Sequence, residues 1–404
     1  MTQKNSNQLN SHEAVLKAIV EAIDIPKSLD QIARDRYASI GRWLDRDNSG
    51  IRQFDPEIYP QGSFLLGTVI RPVGDADEFD IDLVCTLKGT KNDFTMSSLK
   101  VSVGEEIKSY AKKNGFIKEP EDGRRCWTLE YSDKANFHMD ILPALPNAEQ
   151  YRLMLEESGH TILATDEKIS EKAIAITDKT LDNFDIYSDD WPVSNPKGFA
   201  IWFKSCQANV LNERKQLLME SDVMYASVDQ VPDHKVKTPL QQAIQLLKRH
   251  RDSMFDGKEN KPISVIITTL AGHSYNNETT ITETLRSLLK NMGGFIINPE
   301  GESWIPNPVN PIENFADKWK ETPEKKQNFL KWLEKAQRDF GLYLVSNNYR
   351  DIPEELKESI TQETMSNVLP LIVASVSTPA IISFGEAEAA TIISKGGATK
   401  PWRK

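Results

Sequence analysis

Glu78-Phe79-Asp80-Ile81-Asp82-Leu83-Val84 alternates apolar side chains with acids. On a β-strand successive side chains take opposite faces, so Asp80 and Asp82 share one side of a sheet while Phe79, Ile81 and Leu83 take the other. The two β-carbons then lie roughly 7 Å apart, close enough for two ionised carboxylates to repel unless a cation sits between them. Mg²⁺ suits such a pair, because it is held by one or two carboxylates and takes its remaining ligands from water and substrate phosphates. A strand with one wet face shows the same alternation, so the pair by itself leaves both readings open.

A third acid is supplied by Asn136-Phe137-His138-Met139-Asp140-Ile141-Leu142, again flanked by apolar residues. Three carboxylates from neighbouring strands can hold two metal ions roughly 4 Å apart, one at an attacking hydroxyl and one at a departing pyrophosphate. Asp140 is then the expected general base for a ribose hydroxyl. His138 shares its face, but Mg²⁺ prefers oxygen, so this histidine is expected as a packed or hydrogen-bonded neighbour. Numbering Asp75, Asp77 and Phe79 as a calcium loop fails, since its sixth position is Asp80 instead of glycine and its twelfth is Leu87 instead of glutamate.

Upstream lies Gln61-Gly62-Ser63. A glycine there permits close approach of backbone to phosphate, and a serine hydroxyl with helix N-terminal amides binds phosphate oxygens. Gly62 to Thr68 nearly matches a P-loop, but the lysine that such a loop needs is absent.

Around these motifs the chain divides by pattern. Residues 13 to 23 and 27 to 45 read as amphipathic helices. The block 54 to 145 is mixed, with strand patterns at 79–87, 125–131 and 137–145 and a helix over 96–114. Residues 146 to 195 are polar with weak periodicity and read as connections with short helices. From Pro196 onward the pattern is helical, over 199–221, 239–255, 263–275, 282–291 and 323–340. The proline-rich stretch Asn298 to Trp319 reads as an irregular loop, either a pocket wall or a lobe connector.

At 404 residues, two lobes are expected. The net charge of -10 argues against a long nucleic-acid ligand, though a few cations in a cleft still bind a triphosphate. Three scattered cysteines suggest a reducing compartment. The polar N-terminus lacks the apolar run of a signal peptide. Val368 to Ser383, cut by Pro370 and Pro379, is shorter than the ~20 apolar residues of a spanning helix, so the expected location is cytoplasmic.

The order and spacing of Gly62-Ser63, Asp80/Asp82 and Asp140 resemble the DNA polymerase β-type nucleotidyltransferases. Together with QGSFLLGTVIRP, DEFDIDLV, HMDILPA, TPLQQAIQLLKRHRD and NPVNPIENFADKW, they look like the bacterial cyclic GMP-AMP synthase/DncV-like enzymes, the CD-NTases, over roughly residues 50 to 320. The resemblance implies an α+β fold: a polymerase β-type core of mixed sheet and flanking helices, a mostly helical second lobe, and an active site in the cleft between them. The implied divisions are N-terminal helices over 1–50 packing across both lobes, a catalytic core over 51–195, a helical lobe over 196–394 and a flexible tail over 395–404.

It further implies a synthase using ATP or GTP, with pyrimidine triphosphates as alternatives, that makes a cyclic di- or trinucleotide in anti-phage signalling with two Mg²⁺ ions, or Mn²⁺ in their place. Asp80, Asp82 and Asp140 match its metal-binding catalytic acids, and Gln61, Gly62 and Ser63 its phosphate-binding turn. Lys248 and Ser264 resemble the lysine and serine that grip the donor triphosphate. By physics alone, Lys248 reads equally as a solvated cation on an amphipathic helix, and Ser264 as an N-cap. A linear-chain synthase of the same fold and a non-catalytic nucleotide-binding scaffold are the alternatives. No zinc insertion or basic stripe points to direct activation by nucleic acid. A monomer is expected, with the basic tail after Ser394 as a contact point for a regulatory or conjugating protein.

Overall fold

The computed structural model describes residues 2–72, 79–131, 137–221, 236–346, 348 and 351–357. Asp75, Asp77, Glu78, Asn136, the stretch Val368 to Ser383 and the tail after Ser394 lie outside the described residues.

Helices α1 (Thr2–Ile23) and α2 (Lys27–Leu44) come first, followed by β1 (Glu57–Pro60), α3 (Gly62–Leu66), β2 (Phe79–Thr86), α4 (Met96–Lys113), β3 (Glu121–Asp122), β4 (Trp127–Tyr131) and β5 (Phe137–Pro146). Then come α5 (Ala148–Glu157), α6 (Thr161–Thr165), α7 (Glu167–Ser170), β6 (Ile174–Ile176) and β7 (Val193–Ser194). The remainder is α8 (Pro196–Cys206), α9 (Ala208–Ser221), α10 (Pro239–Met254), α11 (Ser264–Ser274), α12 (Ile281–Asn291), β8 (Pro306–Asn307), β9 (Asn310–Asn314), α13 (Lys318–Glu321), α14 (Pro323–Val345) and α15 (Glu354–Lys357).

Five strands run in the order β1-β2-β5-β4-β3, and β6 and β7 extend the sheet from the C-terminal end of β5. Among the described residues only β2 and β5 pair in parallel, and helix α4 lies in the crossover between them. One face buries Ile81, Leu83, Leu129, Met139 and Ile141 in a core shared with Ile40 and Leu44 of α2 and Leu99 and Val103 of α4. Helix α4 starts at a reciprocal capping box in which Thr95 accepts from the Ser98 amide. A second core joins Leu16 and Ile19 of α1 to Phe203, Leu247, Ile267, Leu285 and Trp332 of the helical side. The two N-terminal helices therefore part company, α1 with the helices and α2 with the sheet.

Three sequence expectations are corrected. The helix expected over 199–221 breaks at Gln207, whose buried side chain accepts from the Thr238 hydroxyl at the start of α10. The connections over 146–195 include two strands, too short to carry a periodicity of their own. The proline-rich stretch contains the short hairpin β8–β9, whose register shifts between Pro306 and Asn307 and in which Pro311 sits on a two-stranded edge that tolerates a missing donor.

Gly104 on α4 lies against the indole of Trp127, and a Cβ there would come within 2.3 Å of two ring carbons. Alanine favours a helix over glycine by about 1 kcal/mol, yet this ring is pinned by its Nε1 donating to the Lys100 carbonyl at 2.9 Å. Gly104→Ala is expected to lower stability by about 1–3 kcal/mol, read as a drop in urea midpoint; an unchanged or higher midpoint would contradict the packing.

Candidate active site

The parallel register sets Asp80 beside His138 and Asp82 beside Asp140, while the antiparallel partner β4 sets Thr128 beside Asp140 and Glu130 beside His138. All six residues therefore share the face opposite the apolar core. Thr128 Oγ1 donates to Asp140 Oδ1 at 2.5 Å and fixes that carboxylate. His138 Nε2 lies 3.6 Å from Glu130 Oε1, within ion-pair reach of an acid on its own face and beyond hydrogen-bond distance. The Asp82 carboxyl is pushed up to about 6 by burial, then by the charges of Asp140 and Asp80, with Lys248 opposing.

Gly62 meets these acids directly. Its φ of 57° is one that L side chains rarely adopt, and a Cβ on it would stand 2.5 Å from Asp82 Oδ2. Ser63 follows in the first turn of α3 and lines the same cavity. Gln61 is placed differently: its backbone N–H donates to the Asp82 carbonyl at 2.8 Å, and it is not among the residues lining the cavity.

Helix α10, begun by a capping box of Thr238 and Gln241, and Lys237 just before it hold the end of α3 and the segment that follows by their carbonyls. Gln241 donates to Leu66 at 2.9 Å, Lys237 to Gly67 at 2.7 Å, Lys248 to Thr68 at 2.8 Å, Gln245 to Val69 at 2.7 Å and Arg249 to Arg71 at 2.6 Å. Lys248 is only 5% exposed, which removes the solvated-cation reading. Burial, with help from Arg251, pushes its ammonium down to about 7. Ser264 is the first residue of α11, and the N-cap is Ile263. The Ser264 hydroxyl instead accepts from Arg251 Nη1 at 2.8 Å, which leaves its own hydrogen to donate.

These groups converge on a cavity of about 1330 Å³ lined by Gly62, Ser63, Asp80, Asp82, Lys248 and Ser264 among others. It exceeds the roughly 300–1,000 Å³ of a site for one drug-sized ligand. Asp140 adjoins Asp82 on the next strand without itself lining the cavity. Acids on one side and cations on the other suit metal-bound triphosphate. The crowding that raises Asp82 is what a divalent cation relieves, so the donor set fits one. Among the described residues, a tighter cluster of possible metal ligands is His250, Asp339 and Glu355, and the triad does not pack so closely. That cluster is already occupied by Lys335, whose ammonium lies 2.7 and 2.6 Å from the two carboxylates.

Arg251, Thr128 and Thr68 were not singled out from the sequence. Thr128 was legible in principle, since Trp127-Thr128-Leu129-Glu130 alternates as β2 does. Arg251 sits three residues beyond Lys248, on the same side of α10.

A raised carboxyl favours the protonated state, so ionised Asp82 costs stability as pH climbs from 3.8 through about 6 and above. That cost is on the order of 3 kcal/mol. Asp82→Asn should therefore raise the melting temperature of the metal-free protein at pH 8 and not at pH 4, with added divalent cation cancelling the gain; no pH-dependent gain would refute the crowding.

Residues 56–143 match the family described as cyclic GMP-AMP synthase DncV-like, nucleotidyltransferase domain. A c-di-GMP synthase of Roseivirga ehrenbergii is 29% identical over 331 residues, 81% of this chain and 78% of that protein. The cyclic dinucleotide synthase CdnG of Bradyrhizobium diazoefficiens is 25% identical over 337 residues, 80% of this chain and 73% of that protein. The solved structure of that CdnG in complex with GTP superposes with a TM-score of 0.64 at 22% identity, covering 89% of this chain and 98% of the other. The sheet that carries the acids is the matched DncV-like nucleotidyltransferase domain, and the likeness to the two cyclic dinucleotide synthases runs on through the helical side.

Proposed function

We propose that this chain is a Mg²⁺-dependent synthase that condenses nucleoside triphosphates into a cyclic di- or trinucleotide messenger, working in the cytoplasm as a monomer in anti-phage signalling. The observation that carries the reading is the register of Asp82 with Asp140, on a face that shares one cavity with Gly62-Ser63 and with Lys248 and Ser264. Residues 51–195 act as the catalytic core, and the helices described from Pro196 onward form the other wall of the cleft that takes the triphosphates.

Asp80, Asp82 and Asp140 are the residues that would hold the cations. When bound, these supply positive charge at the attacking hydroxyl and at the leaving pyrophosphate. Ser63 and the backbone of the α3 turn bind phosphate oxygens of the donor, with Gly62 small enough to let them approach Asp82. The Lys248 ammonium spends one hydrogen on Thr68 and has two left for the triphosphate tail. The Ser264 hydroxyl, its oxygen already bonded to Arg251, donates to the same tail. Asp140 takes the proton of the acceptor's ribose hydroxyl as its oxygen bonds to the α-phosphorus and the bond to pyrophosphate breaks. A second such step closes the ring.

The test is incubation with labelled triphosphates and Mg²⁺, then phosphatase. A phosphatase-resistant product is expected, and Asp80→Asn or Asp82→Asn should lower its yield roughly a thousandfold. A product degraded by phosphatase would mean a linear synthase, and no turnover with any triphosphate would end the enzymatic reading. Lys248→Ala should raise KM for the donor about tenfold or more, with a smaller effect on kcat.

A further inference from the structure

Two of the acids lining the cavity away from the triad are neutralised by neighbouring cations. Asp252 receives Arg251 at 2.7 Å and Lys261 at 3.0 Å, and Glu130 is paired with Lys118. Glu313 differs. It projects from β9 into the cavity, and its hydrogen-bond partner is an uncharged amide, Asn307 Nδ2, at 2.7 Å from Oε2. Glu313 is an exposed position of β9, open to a ligand in the cavity, and the protein around that cavity still pushes its carboxyl above the ordinary range, against the pull of Asn307 and Arg125.

The carboxylate is also held in place. Asn307 Oδ1 accepts from the Val309 amide at 3.1 Å, so the Asn307 side chain cannot flip without losing both of its bonds. The carbonyl of Val309 in turn accepts from the buried hydroxyl of Tyr151, which ties the β8–β9 turn to the sheet-side helix α5. Phe315, two residues along from Glu313, and Phe199 add aromatic surface to the same wall, with ring centroids 6.2 Å apart. A positioned acceptor beside aromatic rings is the chemistry that reads a flat ring bearing adjacent hydrogen-bond donors.

Resting on the synthase reading above, we propose that Glu313 determines base specificity by accepting the N1–H and N2–H of a guanine, so that at least one substrate is GTP. Adenine presents an acceptor at N1 and leaves such a carboxylate facing a lone pair. Cytosine and uracil present at most one donor on the corresponding edge and less ring to stack. A site built around a fixed polar group rejects the analogue that lacks the partner far more strongly than an apolar pocket does.

The test is Glu313→Gln, assayed for product formation from GTP, ATP and ITP and for binding of non-hydrolysable GTP and ATP analogues. In the glutamine variant the oxygen keeps the bond to Asn307 and the amide hydrogens face the base. Utilisation of GTP should fall about a hundredfold or more, and the GTP-to-ATP preference should fall with it in both assays. The unmutated protein should use ITP, which keeps N1–H and lacks the 2-amino group, roughly tenfold less well than GTP. Asn307→Ala should weaken GTP discrimination in the same direction with a smaller effect. An unaltered GTP-to-ATP ratio in Glu313→Gln overturns this assignment while the synthase reading stands. A parent protein that binds GTP selectively yet makes no product overturns the synthase reading and leaves the base assignment in place.

Discussion

The parallel pairing of Phe79–Thr86 with Phe137–Pro146 governs everything else in this molecule. Parallel register sets Asp82 against Asp140 with both side chains on one face, because successive residues alternate and a slip of one residue would turn every acid inward. The opposite face is paid in hydrophobic burial: Ile81, Leu83, Met139 and Ile141 are each at most 1% exposed. The register is thus held by the same residues that would be driven into water if the acids exchanged faces.

That arrangement places repelling carboxylates together, and the helical side answers it. Helix α10 carries Lys248 and Arg251 into the cavity, and Lys248 itself joins Gln241, Gln245 and Arg249 in bonding the carbonyls of 66–71. Those bonds satisfy backbone groups that would otherwise stand unpaired inside the protein. They also fix the distance between the Gly-Ser turn and the cations. One helix therefore sets both the shape and the charge of the cleft.

Much of the fold is legible in the pattern of residues. The amphipathic periodicity of α2, α4, α10, α12 and α14 and the alternation of β2, β4 and β5 reflect one-sided burial, which leaves a mark on the sequence. The elements that escaped notice are those whose burial leaves no such mark. Ile174–Ile176 is buried on both faces, Gln207 breaks a helix through a side-chain bond to a residue 31 positions away, and the β8–β9 hairpin is held by Asn307 and Asn314 bonding the backbone nearby.

Sequence alone determined which acids stand on strands, that a glycine and a serine precede them, and that helices follow a sheet, because each of these is written in local periodicity and spacing. Tertiary structure alone decided that Lys248 is buried against Thr68, that Arg251 takes the oxygen of Ser264, and that Glu313, Asp80 and Asp82 line one cavity. The physical reason is distance along the chain. Lys248 meets a carbonyl 180 residues away and Tyr151 one 158 residues away, and no short window of residues records a partner brought in by folding.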